Sequence, residues 1–225
     1  MKIRALEGVR VNHTQPRAGT RWVRRRGDAI ALAGGLVVLG AGMIAVRNGS
    51  VSDFEESVFH AINDLPQAFY PVLWPVQQLG ASLVGPIVAA AAALSRRYRL
   101  AIALLIATVA KLVLERAVKA IVSRERPGTS IGPDIHLRGT VSLTGESFVS
   151  GHAVLVAAIA GVVSPYLRGG WKIIPWALVG LAMITRVYVG AHNPLDVICG
   201  AALGIVIAGA LNLAFGVPES ADDAL

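Results

Sequence analysis

The chain has 225 residues, of which 54% are hydrophobic and 16% charged, and its mean hydropathy is +0.60. That balance excludes an ordinary soluble domain. The net charge of +7 is not a nucleic-acid signal, because eight of the 21 basic residues precede residue 27 and end in Arg24-Arg25-Arg26, directly ahead of an apolar run. A basic cluster in that position reads as a cytoplasmic topology anchor, and no nucleic-acid partner is expected. Cys199 is the sole cysteine, which excludes an intrachain disulfide and a cysteine-based metal site. The first apolar run starts late and no small-residue cleavage site clearly follows it, so a cleavable signal peptide is not expected.

A bilayer core takes about 20 apolar residues per helix. Runs of that kind occur at 28–46, 71–94, 99–122, 152–168, 172–190 and 195–216. The expected fold is therefore all-α, a bundle of six transmembrane helices. Pro71, Pro75 and Pro86 interrupt the second run, whose spanning part would begin near Leu79. Between the first two runs, Phe54, Val58, Phe59, Ile62 and Leu65 recur at helical spacing, with Asp53, Glu55, Glu56 and Asp64 filling the remainder. That pattern predicts a short amphipathic helix lying on the membrane surface. The domain organisation is a basic N-terminal tail (1–27), a membrane domain (28–216) and an acidic, disordered C-terminal tail (217–225).

Basic residues set the orientation. With six spans and both ends cytoplasmic, the inner segments hold the N-terminal arginines, then Arg96, Arg97 and Arg99, then Arg168 and Lys172. The outer segment from Arg47 to Pro66 holds one arginine against four acids, which is a positive-inside pattern. The outer loop from Ser123 to Val149 departs from it with Arg124, Arg126 and Arg138.

Three short stretches carry the remaining chemistry, and this topology brings all three to the outer face. Lys119 and Arg126 close helix three, seven residues apart and near one helical face, and Pro127 marks the helix end. Ser150-Gly151-His152 opens helix four, with Ser150 as N-cap and Gly151 allowing close backbone approach to an anion at the helix N-terminus. Arg186 ends helix five and can fork onto two phosphate oxygens. His192 follows, then Asn193-Pro194 as N-cap and first helical residue, then Asp196 four residues after His192 and near enough to accept from its ring. Three fixed cations, two imidazoles and one carboxylate suit attack by histidine on a phosphate dianion, and no metal or other cofactor is called for. Charge kept in a membrane defaults to function. Lys111 and Glu115, four residues apart, read as an internal ion pair, with a part in substrate access as the alternative.

Lys119-x6-Arg126-Pro127, Ser150-Gly151-His152 and Arg186-x5-His192-x3-Asp196 together resemble the three-part signature of the type 2 phosphatidic acid phosphatase (PAP2) family, whose active site is shared with vanadium haloperoxidases. Two positions depart from the pattern: Val149 stands where proline is usual, and Thr185 where serine is usual. By matched position, the resemblance implies that His192 is the nucleophile and forms a phosphohistidine, that Asp196 orients it, and that His152 is the general acid and then the base. It implies that Lys119, Arg126 and Arg186, with backbone donors around Ser150 and Gly151, bind the phosphoryl oxygens. The expected substrate is a phospholipid or polyprenyl phosphate or diphosphate presented by the membrane. A lipid phosphotransferase using the same site is the alternative, and lipid-facing helices argue against a haloperoxidase. Asp134, His136 and Glu146 read as solvated loop residues, and Tyr188 and Trp171 as interfacial anchors. Gly200-x3-Gly204 permits close helix packing and carries no oligomeric assignment.

Overall fold

A computed structural model describes residues 21–142 and 144–219, so most of the N-terminal tail and residues 220–225 of the C-terminal tail lie outside the described residues. Nine α-helices carry the described chain: α1 (Arg26–Ala45), α2 (Asp53–Asn63), α3 (Tyr70–Gln78), α4 (Val84–Leu94), α5 (Tyr98–Ile121), α6 (Pro127–Ser130), α7 (Gly151–Val163), α8 (Ile173–Tyr188) and α9 (Pro194–Phe215). Two short strands, β1 (Trp22–Val23) and β2 (Val217–Pro218), pair antiparallel.

Helix α7 is the centre of the bundle. It is apolar all round, and such a helix is a buried one. Ala153, Leu155, Ala157 and Ala158 have no exposed surface. Helices α9, α8 and α5 pack on it. The α7–α9 contact is close because α9 turns Gly200 and Gly204 toward it; a Cβ on Gly200 would come within 2.7 Å of the Ser150 carbonyl oxygen. The small-residue spacing read in the sequence thus serves packing inside the chain. Helix α1 covers the other side of α9 with a stripe of Asp28, Gly35, Leu39 and Gly42.

Among the described residues, three segments are long and apolar enough to cross a membrane: Arg26–Ala45, Gly169–Tyr188 and Pro194–Phe215. Helix α5, with 24 residues, is longer, but Lys111, Glu115, Arg116 and Lys119 break its apolar run. The second expected span is two helices, α3 and α4, which are separated by a bend at 79–83. Pro86 is accommodated in the first turn of α4, where no intrahelical N–H bond is lost. The bend places Gly80 against the His152 ring, with no room between them for a Cβ.

Helix α2 forms where the amphipathic pattern places it, capped by Ser52, whose Oγ accepts from Glu55 N at 3.2 Å. Its inward face, however, is Glu55, Phe59 and Asn63, all buried at a spacing of four, while Phe54 is exposed. Asn63 Nδ2 donates to the carbonyls of His136 and Tyr188 at 2.9 and 3.0 Å. The helix is therefore fastened to the bundle by polar groups that periodicity assigns to solvent.

The N-terminus of α1 and the C-terminus of α9 meet at one end. Arg24 Nε donates to Leu213 O at 2.7 Å and Arg99 Nη1 to Phe215 O at 3.2 Å. Cations thus satisfy carbonyls at the negative end of α9. Arg99 also stacks over the Trp22 ring at 4.4 Å, a cation–π contact. The three-piece signature lies at the opposite end.

Candidate active site

The opposite end is built from loops and helix starts. The 122–150 loop returns to the bundle at the N-terminus of α7, where Ser150 N donates to the Asp196 carbonyl at 3.0 Å. That single bond joins the second and third motif pieces. Gly190, at φ +75°, turns the chain from α8 into α9, and a Cβ there would meet the His136 carbonyl at 2.9 Å. Only glycine takes this conformation without strain. The turn places His192 just ahead of α9, at 3% exposure.

His192 Nδ1 faces Asp196 Oδ2 at 3.8 Å. That is within ion-pair range but beyond a direct hydrogen bond. The gap is bridged. Ser147 Oγ lies 3.4 Å from His192 Nδ1 and donates to Asp196 Oδ2 in a short hydrogen bond. The carboxylate also accepts from Asn193 N at 2.8 Å and from Arg124 Nη1 at 2.8 Å. With Nδ1 turned to this group, Nε2 is the ring nitrogen left for chemistry. Burial pushes the His192 imidazole down to about 4, opposed by Asp196 and reinforced by Arg186 and Arg126. Desolvation penalises the charged ring more than the one carboxylate supports it.

Arg124 is fully buried. Besides Asp196, it binds Glu55 at 3.0 and 2.5 Å and the Ser50 carbonyl at 3.1 Å. Burial works against its charge, but the Glu55 and Asp196 carboxylates outweigh it and raise the guanidinium further. Glu55 in turn accepts from Leu195 N at 2.8 Å, which sets an anion at the positive end of α9. Composition and spacing point to neither Arg124, Glu55 nor Ser147. The one signal is that three arginines on the 123–149 loop break the positive-inside pattern expected from the sequence. Arg138 is explained in the same way: it is buried, donates to the carbonyls of Asn63, Leu65 and Tyr188, and stacks over the Tyr188 ring at 4.0 Å.

The three signature cations are held differently. Arg126 Nη1 donates to Ala191 O at 3.1 Å, beside His192, and burial lowers its guanidinium. Arg186 Nη1 donates to Gln77 Oε1 at 3.1 Å on α3. The Nε atoms of both are buried without a partner, as is Ser150 Oγ. Lys119 reaches Glu115 at 2.8 Å, and Glu115 lies against Gly151. His152 is half-buried against Gly80, and its charge interacts with those of Arg186 and His192.

Four expectations need correcting. Arg126 does not share a helix with Lys119: α5 ends at Ile121, and Arg126 is the extended residue just ahead of α6. Ser150 holds the N-cap position of α7, but its side chain makes no cap bond. Asp196 reaches His192 mainly through Ser147. Tyr188 is no interfacial anchor: it is wholly buried, donating to Pro66 O at 2.9 Å, whereas Trp171 is exposed. Thr185 spends its hydroxyl on its own helix, donating to Leu181 O at 2.7 Å, a common back-bond for a helical threonine. Among the described residues, no group of three or more His, Cys, Asp or Glu side chains could hold a metal ion.

Known proteins resemble this chain in sequence and fold. An undecaprenyl-diphosphatase of Sulfolobus acidocaldarius is 34% identical over 124 residues, which is 53% of this chain and 57% of that protein's length. The chain thus spans a little over half of that curated relative. The crystal structure of Aquifex aeolicus LpxE superposes with a TM-score of 0.65 at 26% identity, covering 73% of this chain and 99% of the other. A transmembrane PAP2 type phosphatidylglycerolphosphate phosphatase from Bacillus subtilis superposes with a TM-score of 0.58 at 21% identity, covering 82% and 94%. Residues 98–217 match the PAP2 superfamily, and the chain is a membrane protein that belongs to it.

Proposed function

We propose that the protein is a membrane phosphatase that hydrolyses a phosphomonoester or diphosphate lipid through a phosphohistidine intermediate. The observation that carries this reading is the buried His192, with its Nδ1 held against Ser147 and Asp196 and its neighbours Arg126 and Arg186 each keeping an unpartnered Nε. Relatives named as a diphosphatase and a phosphatase support hydrolysis over transfer to another acceptor.

In this mechanism the phosphoryl group sits among Arg126, Arg186, Lys119 and the N-terminal turn of α7. His192 Nε2 attacks phosphorus as the bond to the lipid oxygen breaks. His152 gives its proton to that oxygen, and the lipid alcohol or monophosphate leaves. Asp196 stabilises the positive charge of the phosphorylated ring. A water then attacks phosphorus while His152 takes its proton, the P–N bond breaks, and neutral His192 returns with inorganic phosphate. The cations hold the three equatorial oxygens throughout, and their charge stabilises the transition state.

The six-span arrangement belongs to the same proposal, with both ends cytoplasmic and the site on the outer face. Arg24, Arg25, Arg26, Arg96, Arg97 and Arg99 lie at the end of the bundle opposite His192, which supports it. Substrate would reach the site from the outer leaflet.

The test is phosphate release by purified protein from phosphatidic acid, phosphatidylglycerophosphate and a polyprenyl diphosphate, side by side. Release from at least one of them that resists EDTA, is inhibited by vanadate and is lost in His192→Ala is expected. Full activity in His192→Ala would sink the nucleophile assignment.

A further inference from the structure

Glu115 has no part in the mechanism above, yet it stands inside the site. One carboxylate oxygen accepts from Lys119 Nζ at 2.8 Å and the other pairs with Lys111 Nζ at 2.9 Å. The same carboxylate lies on Gly151, so that a Cβ there would come within 2.6 Å of Glu115 Cδ. This is the first turn of α7, where backbone N–H groups are free and the helix dipole is positive. The Glu115 charge also acts on Arg126 and His152. An anion thus sits between a lysine of the signature and the glycine of the next motif piece. Nearby, Ser150 Oγ and the Nε atoms of Arg126 and Arg186 are buried with no partner.

Two lysines flank the one carboxylate, and they are unequal. Lys111 is 9% exposed along its side chain and Lys119 is 22% exposed. A buried cation needs a lasting counter-ion, so Lys111 cannot release Glu115 without a large cost. Lys119 can, because Lys111 keeps the carboxylate neutralised once Lys119 turns away.

We propose that Glu115 is a resident anion of the phosphate site. It holds Lys119 and the start of α7 while the site is empty, yields Lys119 to the incoming phosphate dianion, and reclaims it to help expel inorganic phosphate after turnover. This rests on the reading of the site as a phosphoryl-transfer centre. The opposite role, a brace that aims Lys119 at the phosphate, predicts the opposite sign: removing the carboxylate would then weaken phosphate binding.

The experiment measures inhibition of purified enzyme by inorganic phosphate and by orthovanadate. In Glu115→Gln the inhibition constant for phosphate should fall about tenfold, the factor that about 1.4 kcal/mol represents. In Glu115→Asp, which keeps the counter-ion of Lys111 but draws it back from Gly151, it should fall by less. An unchanged or raised constant in both variants overturns the proposal. Wild-type protein that neither releases phosphate nor responds to vanadate overturns the functional reading and this inference with it. Active, vanadate-sensitive wild type with the wrong sign in the variants overturns this inference alone. Should neither variant fold, a structure of the wild type with orthovanadate decides. Lys119 Nζ moved from Glu115 to the vanadate oxygens supports the proposal, and an intact Glu115–Lys119 pair overturns it.

Discussion

Arg124 Nη1 donates to both Asp196 Oδ1 at 2.8 Å and Glu55 Oε1 at 3.0 Å, and Nη2 of the same guanidinium donates to Glu55 Oε2 at 2.5 Å. The carboxylate proposed to steady the nucleophile is therefore clamped to the surface-patterned helix α2 by a fully buried arginine. Removing one member of a buried ion cluster strands the rest. Arg124→Met should destabilise the protein by roughly 3–5 kcal/mol, read by thermal or denaturant unfolding in detergent, and should abolish turnover. Arg124→Lys should rescue only part of the stability, because an ammonium cannot fork between Asp196 and Glu55. An Arg124→Met protein with wild-type stability would mean that the cluster holds nothing together.

Ser147 bridges His192 Nδ1 and Asp196 Oδ2. Ser147→Ala should lower kcat about tenfold, as expected for loss of one buried hydrogen bond of about 1–1.5 kcal/mol. KM should change little, since the hydroxyl sets the ring rather than touching the phosphate. A change confined to KM would contradict that role.

Burial takes His192 from its ordinary value of 6.5 down to about 4. The sign follows from linkage. Between these values the unfolded chain binds the proton and the folded chain does not, so the folded state loses stability as pH falls from 6.5 toward 4. Above 6.5 this contribution is constant. The imidazole stays neutral and nucleophilic across that window, so the acid limb of kcat/KM assigned to His192 should fall near pH 4, once the ionisation of the substrate is divided out. An acid limb at 6.5, absent from the substrate's own titration, would show an unshifted histidine.

Gly204 lies against α7, with the Val154 carbonyl and Ala157 where a side chain would go. Gly204→Leu should separate α7 from α9, at an overpacking cost of about 1–3 kcal/mol or more. Activity should fall with it, because Ser150 and Asp196 are joined across the same contact. Unfolding midpoint and turnover measured on one preparation check both.

The membrane orientation can be read by thiol labelling, since Cys199 is buried and silent. In intact cells an impermeant maleimide should label Ser142→Cys, on the long loop at the site end, and leave Arg168→Cys unlabelled. The reverse pattern would turn the proposed topology over.

How much of this was legible in the chain differs from residue to residue. Apolar runs of membrane length, arginines gathered at one set of loops, and Pro or Gly at helix borders are local signals, and they mark α1, α5, α8 and α9 to within a few residues. The signature cations and histidines are likewise short-range patterns. The split of 71–94 into α3 and α4 was only half-visible: the prolines announce a weak helix, but the bend that carries Gly80 to His152 depends on packing.

By itself, then, the sequence determined the apolar helices, their order and the identity of the groups that could handle phosphate, because hydrophobic periodicity and motif spacing are written within a few turns of chain. Only the tertiary structure decided which polar residues support them. Glu55, Arg124, Ser147 and Asp196 lie far apart along the chain and carry no shared local pattern. They become one network because a buried charge must find its partner wherever the fold brings one.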